Sequence, residues 1–230
     1  MEVAERNLQH VHERIARACA ACGRPVRSVT LLAVSKTFPA DAVRRMHGAG
    51  QRTFGENYVQ EALDKIEALA DLRADLQWHL IGPLQSNKTR PVAAAFDWVH
   101  SVDRLKIAER LAEQRPAGLA PLQVCLQVNI DEEPTKSGLA PAEVQAVAQA
   151  VAALPPERIR LRGLMAIPRP SDDAAGRRRP FAALRTLMDG LNSQGLSLDT
   201  LSMGMSADLE DAIAEGATVV RVGTALFGAR

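Results

Sequence analysis

Hydrophobic positions along the chain fall into short continuous runs that alternate with longer stretches of helical spacing. Continuous apolar runs are typical of parallel strands covered on both faces, because neither face has to meet water. The runs predict eight strands, at 29–35, 52–55, 77–81, 98–101, 122–130, 159–166, 200–203 and 218–222. The stretches between them predict helices at 40–49, 57–69, 87–96, 103–114, 141–152, 180–191 and 206–215. The segment 168–180 has a proline at each end and is predicted to be a loop.

A further helix precedes the first strand and is predicted to end near Gly23 and Pro25. Its apolar positions recur at close to helical spacing, at Val3, Leu8, Val11, Ile15 and Ala18. Eight strand–helix units after one extra helix predict an α/β protein, a single (β/α)8 TIM-type barrel that occupies residues 1–230 as one domain. A doubly wound open sheet is the alternative that this pattern leaves open.

Composition and charge exclude several classes of function. Of the 230 residues, 47% are hydrophobic and 24% are charged, which suits a globular domain with a sizeable core. Basic and acidic side chains number 28 and 27 and only 3% of residues are aromatic, so a nucleic-acid surface is not indicated. No apolar stretch approaches the roughly 20 residues of a membrane-spanning helix. The amphipathic N-terminal segment lacks an apolar leader, so we expect a cytoplasmic protein.

The three cysteines indicate reduced thiols, because an odd number in a chain of this length does not suggest a disulfide framework. Cys19 and Cys22 form a C-x-x-C pair within the predicted first helix. No second cysteine pair completes a zinc site, so we expect no metal and interpret both as half-buried helical residues.

Lysine occurs at only five positions, and one of them stands apart. Lys36 closes an apolar run at the carboxyl end of the first predicted strand. In a barrel that end faces the active-site mouth, and burial there would lower the pKa of the amine toward the nucleophilic free form. The alternative is a lysine that extends from the strand end into solvent. Lys65 and Lys106 lie beside acids on predicted helices and are expected to be surface charges.

The last two strands carry residues suited to an anion. Arg221 lies within an otherwise apolar run, where a guanidinium needs either a core acid or an acceptor on a bound ligand. Gly223 and Thr224 follow that strand, and Ser206 follows the strand before it. Glycines and hydroxyls after the seventh and eighth strands form the usual phosphate site of a barrel. Together with the lysine of the first strand they outline a site for a phosphorylated aldehyde, and pyridoxal 5'-phosphate (PLP) fits it.

Five motifs are long enough to be specific: LAVSKT at 32–37, FGENYVQE at 54–61, WHLIGPLQSNK at 78–88, GLMAIP at 163–168 and RVGTALFG at 221–228. Together they resemble the PLP homeostasis proteins, the YggS/PROSC family, nearly from end to end. That family is similar in fold to the barrel domain of alanine racemase. The resemblance therefore implies the closed barrel rather than the open sheet.

The resemblance also implies roles for individual residues. Lys36 would form a Schiff base with PLP, and Arg221 would lie against the pyridine nitrogen. The phosphate would be held by Ser206, Gly223 and Thr224. The ring pocket would be lined by Asn57, His79, Met165 and Ser202. For His79, Met165 and Ser202, ordinary core packing or capping is the alternative.

The implied function is a PLP-binding protein that takes part in intracellular vitamin B6 and amino-acid homeostasis without clear catalytic turnover. An arginine only donates a hydrogen bond to the pyridine nitrogen, so the ring would stay a weak electron sink. The related racemases use a tyrosine from a second domain; we expect no such domain here, and the only tyrosine is Tyr58. A small single-domain PLP-dependent racemase and a Schiff-base aldolase acting on a sugar phosphate are the alternatives.

We expect a monomer whose partners are PLP and apo forms of PLP-dependent enzymes, with no nucleic acid and no membrane. Lys88 and Lys136 lie in predicted loops, and the scarcity of lysine singles them out. One of them could accept PLP transiently during hand-over. Helix capping and solvated charge are the alternative interpretation of both.

Overall fold

Residues 3–228 are described by a computed structural model in which eight parallel strands close into a barrel. The strands are β1 (Thr30–Val34), β2 (Thr53–Glu56), β3 (Gln77–Leu80), β4 (Trp98–Val102), β5 (Leu122–Gln127), β6 (Ile159–Met165), β7 (Thr200–Ser202) and β8 (Val219–Val222). Each strand pairs with the next one along the chain, and β1 also pairs with β8. The open sheet is therefore excluded, and the predicted (β/α)8 barrel with an extra N-terminal helix is confirmed.

Helices surround the strands on the outside of the barrel. They are α1 (Val3–Ala21), α2 (Ala40–Gly48), α3 (Val59–Ala68), α4 (Thr89–Ala95), α5 (Leu105–Gln114), α6 (Val144–Ala152), α7 (Ala174–Ser193), α8 (Leu209–Ala214) and α9 (Thr224–Phe227). In the part of the chain from 3 to 228, none of them combines the length and the apolar character that a bilayer crossing demands.

Alternate residues of each strand face the helices and the barrel interior. In β1, Leu31 and Ala33 belong to the main core, which also contains the buried side chains of the helices. Leu32 and Val34 form a separate small cluster with residues of β8 and of the segment after β3. Lys36 follows two residues after Val34, in the turn that leaves the end of β1.

The extra helix α1 packs across the last elements of the barrel. It buries an apolar face that includes Leu8, Val11 and Ile15. From its outer side, the Asn7 side-chain amide donates to the carbonyl of Leu226 at 2.9 Å. Arg14 of the same helix donates to the carbonyl of Ser206 at 3.0 Å. The helix is therefore tied to both segments that the sequence predicts to bind phosphate.

One predicted loop is largely helical. The segment 168–180 was expected to be irregular, but α7 begins at Ala174, and Pro180 lies inside it. The Asp173 side chain caps this start by accepting the amide of Gly176 at 2.8 Å. Proline inside a helix removes a hydrogen bond and disturbs the preceding turn. Here Pro180 and Phe181 are buried against the core, and this packing offsets that cost.

Two other elements are shorter than predicted, and one was not predicted. β5 ends at Gln127, where the expected strand continued to 130. The helix expected from 206 begins only at Leu209, because the Asp208 carboxylate accepts the amide of Met205 at 2.6 Å and holds a turn there. The four-residue α9 lies beyond the last predicted element.

The backbones of β6 and β7 approach each other closely at Gly163. An ideal Cβ on Gly163 would lie 1.8 Å from the Thr200 carbonyl oxygen and 2.6 Å from its carbon. Only glycine fits such an approach, because backbone atoms of a paired strand cannot move aside independently. Gly190 in α7 offers the opposite case, with no atom within 4 Å of its ideal Cβ.

We predict that Gly163→Ala lowers the free energy of unfolding by about 3 kcal/mol, because the added methyl group forces β6 and β7 apart. Gly190→Ala should instead raise it by about 0.5–1 kcal/mol through better helix propensity. Urea denaturation of the two variants beside the wild type measures both changes. Equal stability of the two variants would contradict the close approach of the strands.

Candidate functional site

The residues singled out from the sequence lie near the carboxyl ends of the strands, at one mouth of the barrel. Lys36 and Asn57 follow β1 and β2, His79 lies in β3, Met165 and Ser202 end β6 and β7, Arg221 lies in β8, and Ser206, Gly223 and Thr224 follow β7 and β8. β1 pairs with β8 on one side and with β2 on the other. The lysine and the arginine therefore come from neighbouring strands.

Lys36 occupies a tight turn at the end of β1. The turn is closed by the Phe38 amide, which donates to the carbonyl of Ser35 at 3.0 Å. Lys36 is half-buried, between the buried amine and the solvent-reaching lysine that the sequence left open. It makes no hydrogen bond or ion pair with another residue of the range 3–228. The amine therefore gives up no internal partner when it engages a ligand.

Arg221 is held inside the barrel by neutral oxygens. Its Nη1 donates to the carbonyl of Ser202 at 2.6 Å and to its hydroxyl at 2.8 Å, and Nη2 donates to the carbonyl of Ala166 at 2.9 Å. No carboxylate of residues 3–228 lies within ion-pair distance of it, so the core-acid alternative does not apply. Burial lowers the pKa of Arg221 to about 10, which leaves it cationic at neutral pH. Met165, fully buried, is in register with Ser202 beside this group.

The arginine sets the direction of a chain of hydrogen bonds, because a guanidinium only donates. The Ser202 hydroxyl accepts from Arg221, and the one acceptor for its own proton among residues 3–228 is Nδ1 of His100, 2.7 Å away. A buried hydroxyl proton without an acceptor is costly, so the hydroxyl donates to this nitrogen. Nδ1 of His100 then carries no proton, and the proton of the neutral ring is on Nε2. That Nε2 lies 2.9 Å from Nδ1 of His79, so His79 in turn carries its proton on Nε2. The chain therefore fixes the tautomer of both imidazoles.

Both imidazoles are neutral because they are buried. Desolvation lowers the pKa of His79 to about 3, and desolvation together with the nearby His79 and Arg221 holds the pKa of His100 well below its usual value. The His79 ring stacks on Trp98 with centroids 5.3 Å apart and planes inclined by 4°. His79 Nε2 and Asn57 Oδ1 are buried and have no hydrogen-bond partner among residues 3–228. A buried donor and a buried acceptor without partners fit a site that a polar ligand completes.

The segments predicted to bind phosphate reach the surface of the mouth. Ser206 and Gly223 are half-buried and Thr224 is exposed, so the two hydroxyls are accessible. An ideal Cβ on Gly223 would lie 3.4 Å from the carbonyl oxygen of Val34. This turn therefore passes close to the end of β1, two residues before Lys36.

Two side chains of this site were not predicted from the sequence: one in the chain of hydrogen bonds and one that stacks on His79. His100 and Trp98 both belong to β4, in the short run Trp-Val-His at 98–100. A signal was present: His79 in the third strand and His100 in the fourth are polar residues within apolar runs. Only the register between strands reveals that their rings meet.

One lysine predicted to be a surface charge is buried. Lys65 is 5% exposed, with its ammonium 2.8 Å from a carboxylate oxygen of Glu56 and 2.6 Å from one of Glu61. Glu56 ends β2 and is fully buried, so the Lys65 side chain extends inward from α3 to reach it. Its position beside acids in the sequence was read as solvation, whereas it reflects a buried ion pair. Lys106 is exposed, as predicted.

Of the two loop lysines, Lys136 donates to the carbonyl of Ile167 at 3.4 Å, the residue after Ala166, whose carbonyl accepts from Arg221. Lys88 ends a short 3-10 turn after β3 and is half-buried. Lys136, also half-buried, forms an ion pair with Glu133 at 2.5 Å in the loop after β5. A role for either residue in hand-over stays a prediction.

Comparisons with known proteins show which family this barrel belongs to. The family described as alanine racemase, N-terminal domain, matches residues 7–230. The pyridoxal phosphate homeostasis protein of Pseudomonas aeruginosa is 62% identical over 230 residues, which cover 100% of this chain and 97% of that one. The protein of the same name from Escherichia coli is 53% identical over 225 residues, 97% of this chain and 95% of that one. The structure of PipY from Synechococcus elongatus with PLP bound has a TM-score of 0.82 and 45% identity, covering 93% of this chain and 100% of that chain.

The two buried imidazoles predict how stability depends on pH. Their folded-state pKa values lie below the ordinary value of 6.5, so the unfolded chain binds more protons as the pH falls. Their contribution is therefore complete above pH 6.5 and is lost as the pH falls, toward about pH 3 for His79. The slope approaches about 1.4 kcal/mol per pH unit for each ring.

His79→Gln should reduce this slope by about one ring's share, as measured by urea denaturation between pH 7.5 and pH 5. His10→Gln, which changes an exposed histidine of α1, is the matched control and should leave the slope unchanged. The same slope in His79→Gln as in the wild type would show that His79 is protonated in the folded protein.

Proposed function

This chain belongs to the pyridoxal phosphate homeostasis proteins, whose barrel is that of the N-terminal domain of alanine racemase, and we propose that it carries PLP on Lys36. The names of its relatives and the PLP bound to PipY support the choice of ligand. The residues at the barrel mouth support the way in which the ligand would be held.

The observation that carries this proposal is a buried cation on β8 and, after the neighbouring strand β1, an amine without a partner. No carboxylate of residues 3–228 forms an ion pair with Arg221, and Asp208 acts on it only by attraction beyond ion-pair distance. The Lys36 side chain makes no hydrogen bond or ion pair with another residue of that range. A buried positive charge favours a ligand that brings negative charge or a strong acceptor. An amine at the same mouth favours an aldehyde. PLP combines a phosphate, a ring nitrogen that accepts a hydrogen bond, and an aldehyde in one small molecule.

PLP supplies an aldehyde that condenses reversibly with amines. In the proposed attachment, the deprotonated nitrogen of Lys36 forms a C=N bond with the aldehyde carbon, and the aldehyde oxygen leaves as water. Ser206, Gly223 and Thr224 would bind the phosphate, and Arg221 would donate to the ring nitrogen. These residues lie in or follow β7 and β8, and β8 pairs with β1, the strand that Lys36 follows.

Four further residues would line the ring. Met165 offers an apolar surface, and Ser202 holds Arg221 in place. His79 offers the N–H that the chain of hydrogen bonds leaves unpaired, and Asn57 offers an unpaired carbonyl oxygen. A bound PLP would therefore offer partners to these two of the buried polar atoms that lack one among residues 3–228.

The same side chains argue for a carrier rather than an enzyme. A carboxylate beside the ring nitrogen would keep it protonated and make PLP a strong electron sink, whereas Arg221 only donates a hydrogen bond. Because their pKa values are depressed, His79 and His100 are weak bases, and almost none of either is the acidic imidazolium at neutral pH. PLP held in this way would keep its reactive aldehyde masked and remain available for release.

The carrier would act in the cytoplasm as a monomer and contribute to vitamin B6 and amino-acid homeostasis. An incoming amine, from a metabolite or from an apo-enzyme lysine, would displace Lys36 from the carbonyl carbon. Release of this kind needs no catalytic group beyond the lysine itself.

Borohydride reduction of the PLP-loaded protein is expected to fix one pyridoxyl group on Lys36. Peptide mapping by mass spectrometry locates the group, and Lys36→Ala should abolish it. Lys106→Ala, which removes an exposed lysine, should leave it in place. A pyridoxyl group on any other lysine, or on none, would sink the proposed attachment.

Incubation of the loaded protein with L-alanine is expected to give racemisation no faster than free PLP at the same concentration. The reason is the weak electron sink that Arg221 imposes. Chiral chromatography measures the rate. A faster rate that disappears in Lys36→Ala would favour the racemase alternative.

A further inference from the structure

The main chain on both sides of Lys36 is held by hydrogen bonds to side chains of α3. On the N-terminal side, the Lys65 ammonium donates to the carbonyl of Ser35 at 2.7 Å. On the C-terminal side, the amide of Thr37 donates to the carboxylate of Glu61 at 2.5 Å. These are the two peptide groups that flank Lys36. Its backbone is therefore fixed by charged side chains, while its own amine is left without a partner.

Thr37 adopts a conformation that a β-branched residue avoids. Its φ is +66°, in the left-handed region, at the third position of the turn that runs from Ser35 to Phe38. Turns with a positive φ at this position usually place glycine there. An unfavourable conformation persists only where surrounding contacts enforce it, and such residues cluster at functional sites. The hydrogen bond to Glu61 is one contact that enforces it.

The side chains that hold this main chain are themselves bonded to buried groups. Lys65 uses all three of its N–H donors, on the carbonyl of Ser35 and on carboxylate oxygens of Glu56 and Glu61. Glu56 is fully buried and also accepts the hydroxyl of Ser35 at 2.6 Å. The residue before Lys36 is thus bonded through both its carbonyl and its side chain.

We propose that Glu61 and Lys65 are positioning residues for Lys36, and that their hydrogen bonds to its two flanking peptide groups keep its amine at the barrel mouth. The inference rests on the proposed attachment of PLP to Lys36. A carrier must release its cargo and capture it again, so the amine has to stay in place while it is free. A fixed main chain keeps the amine close to the aldehyde and avoids an ordering cost at each capture.

The first test uses Glu61, because it is only partly buried and its loss leaves the core intact. Glu61→Ala should slow the appearance of the PLP–lysine absorbance band about tenfold in stopped flow. Glu61→Gln keeps an oxygen acceptor for the Thr37 amide and should recover most of the rate. Glu67→Ala, an exposed residue of the same helix, is the matched control and should behave as the wild type.

A second readout needs no PLP. Hydrogen exchange of the Thr37 amide, followed by NMR, should be about tenfold faster in Glu61→Ala than in the wild type, because a charge-assisted hydrogen bond is lost. A thermal melt of each variant separates this local change from a general loss of stability. Faster exchange with an unchanged capture rate would overturn the positioning role.

The buried lysine is tested in a way that does not leave an isolated charge. Lys65→Met alone strands the Glu56 carboxylate, so it is compared with the double variant Glu56→Gln/Lys65→Met. If the double variant folds and captures PLP at the wild-type rate, Lys65 has no positioning role. If the wild type itself fails to attach PLP at Lys36, the proposed function fails instead. Hydrogen exchange of the Thr37 amide then still reports whether the hydrogen bond to Glu61 holds the main chain.

Discussion

The organisation of this barrel depends on one guanidinium placed among neutral oxygens. A buried cation without a carboxylate partner is costly unless hydrogen bonds satisfy it. Arg221 meets that demand by reaching across β7 to the end of β6, and so holds three consecutive strands at the mouth. Since it can only donate, it also orders the Ser202 hydroxyl and, through it, the two histidines. One side chain thus sets both the geometry and the hydrogen-bond polarity of the interior.

Lys36 and Arg221 are fixed in opposite ways. Arg221 has an immobilised side chain, because three hydrogen bonds hold its nitrogens. Lys36 has an immobilised main chain and an unengaged side chain, because the bonds of Glu61 and Lys65 stop at its peptide groups. A rigid donor suits a ring nitrogen that must sit in one place. An unengaged amine on a fixed main chain suits a group that has to bind, release and bind its ligand again.

The sequence was sufficient for the elements but not for the contacts between them. Apolar runs predict strands because a strand buried on both faces consists almost entirely of apolar residues. Lys36 and Arg221 could be singled out because they are charges within or at the end of such runs. Lys65 was misjudged because its neighbouring acids look the same whether they face water or a buried carboxylate from another strand. Pro180 was taken as a helix boundary because its local cost is visible in the sequence and the packing that offsets it is not.

The charge balance at the mouth explains why this barrel would hold PLP without activating it. The residues at the mouth supply one buried cation, two neutral imidazoles and several hydroxyl and carbonyl groups, which would donate to or pack against a ligand. None of them is a buried acid facing the position where Arg221 would meet the ring nitrogen. An electron sink requires that nitrogen to be protonated, and a guanidinium beside it opposes a second positive charge. The guanidinium that would bind the ring nitrogen is therefore the same group that would keep the ring a weak electron sink.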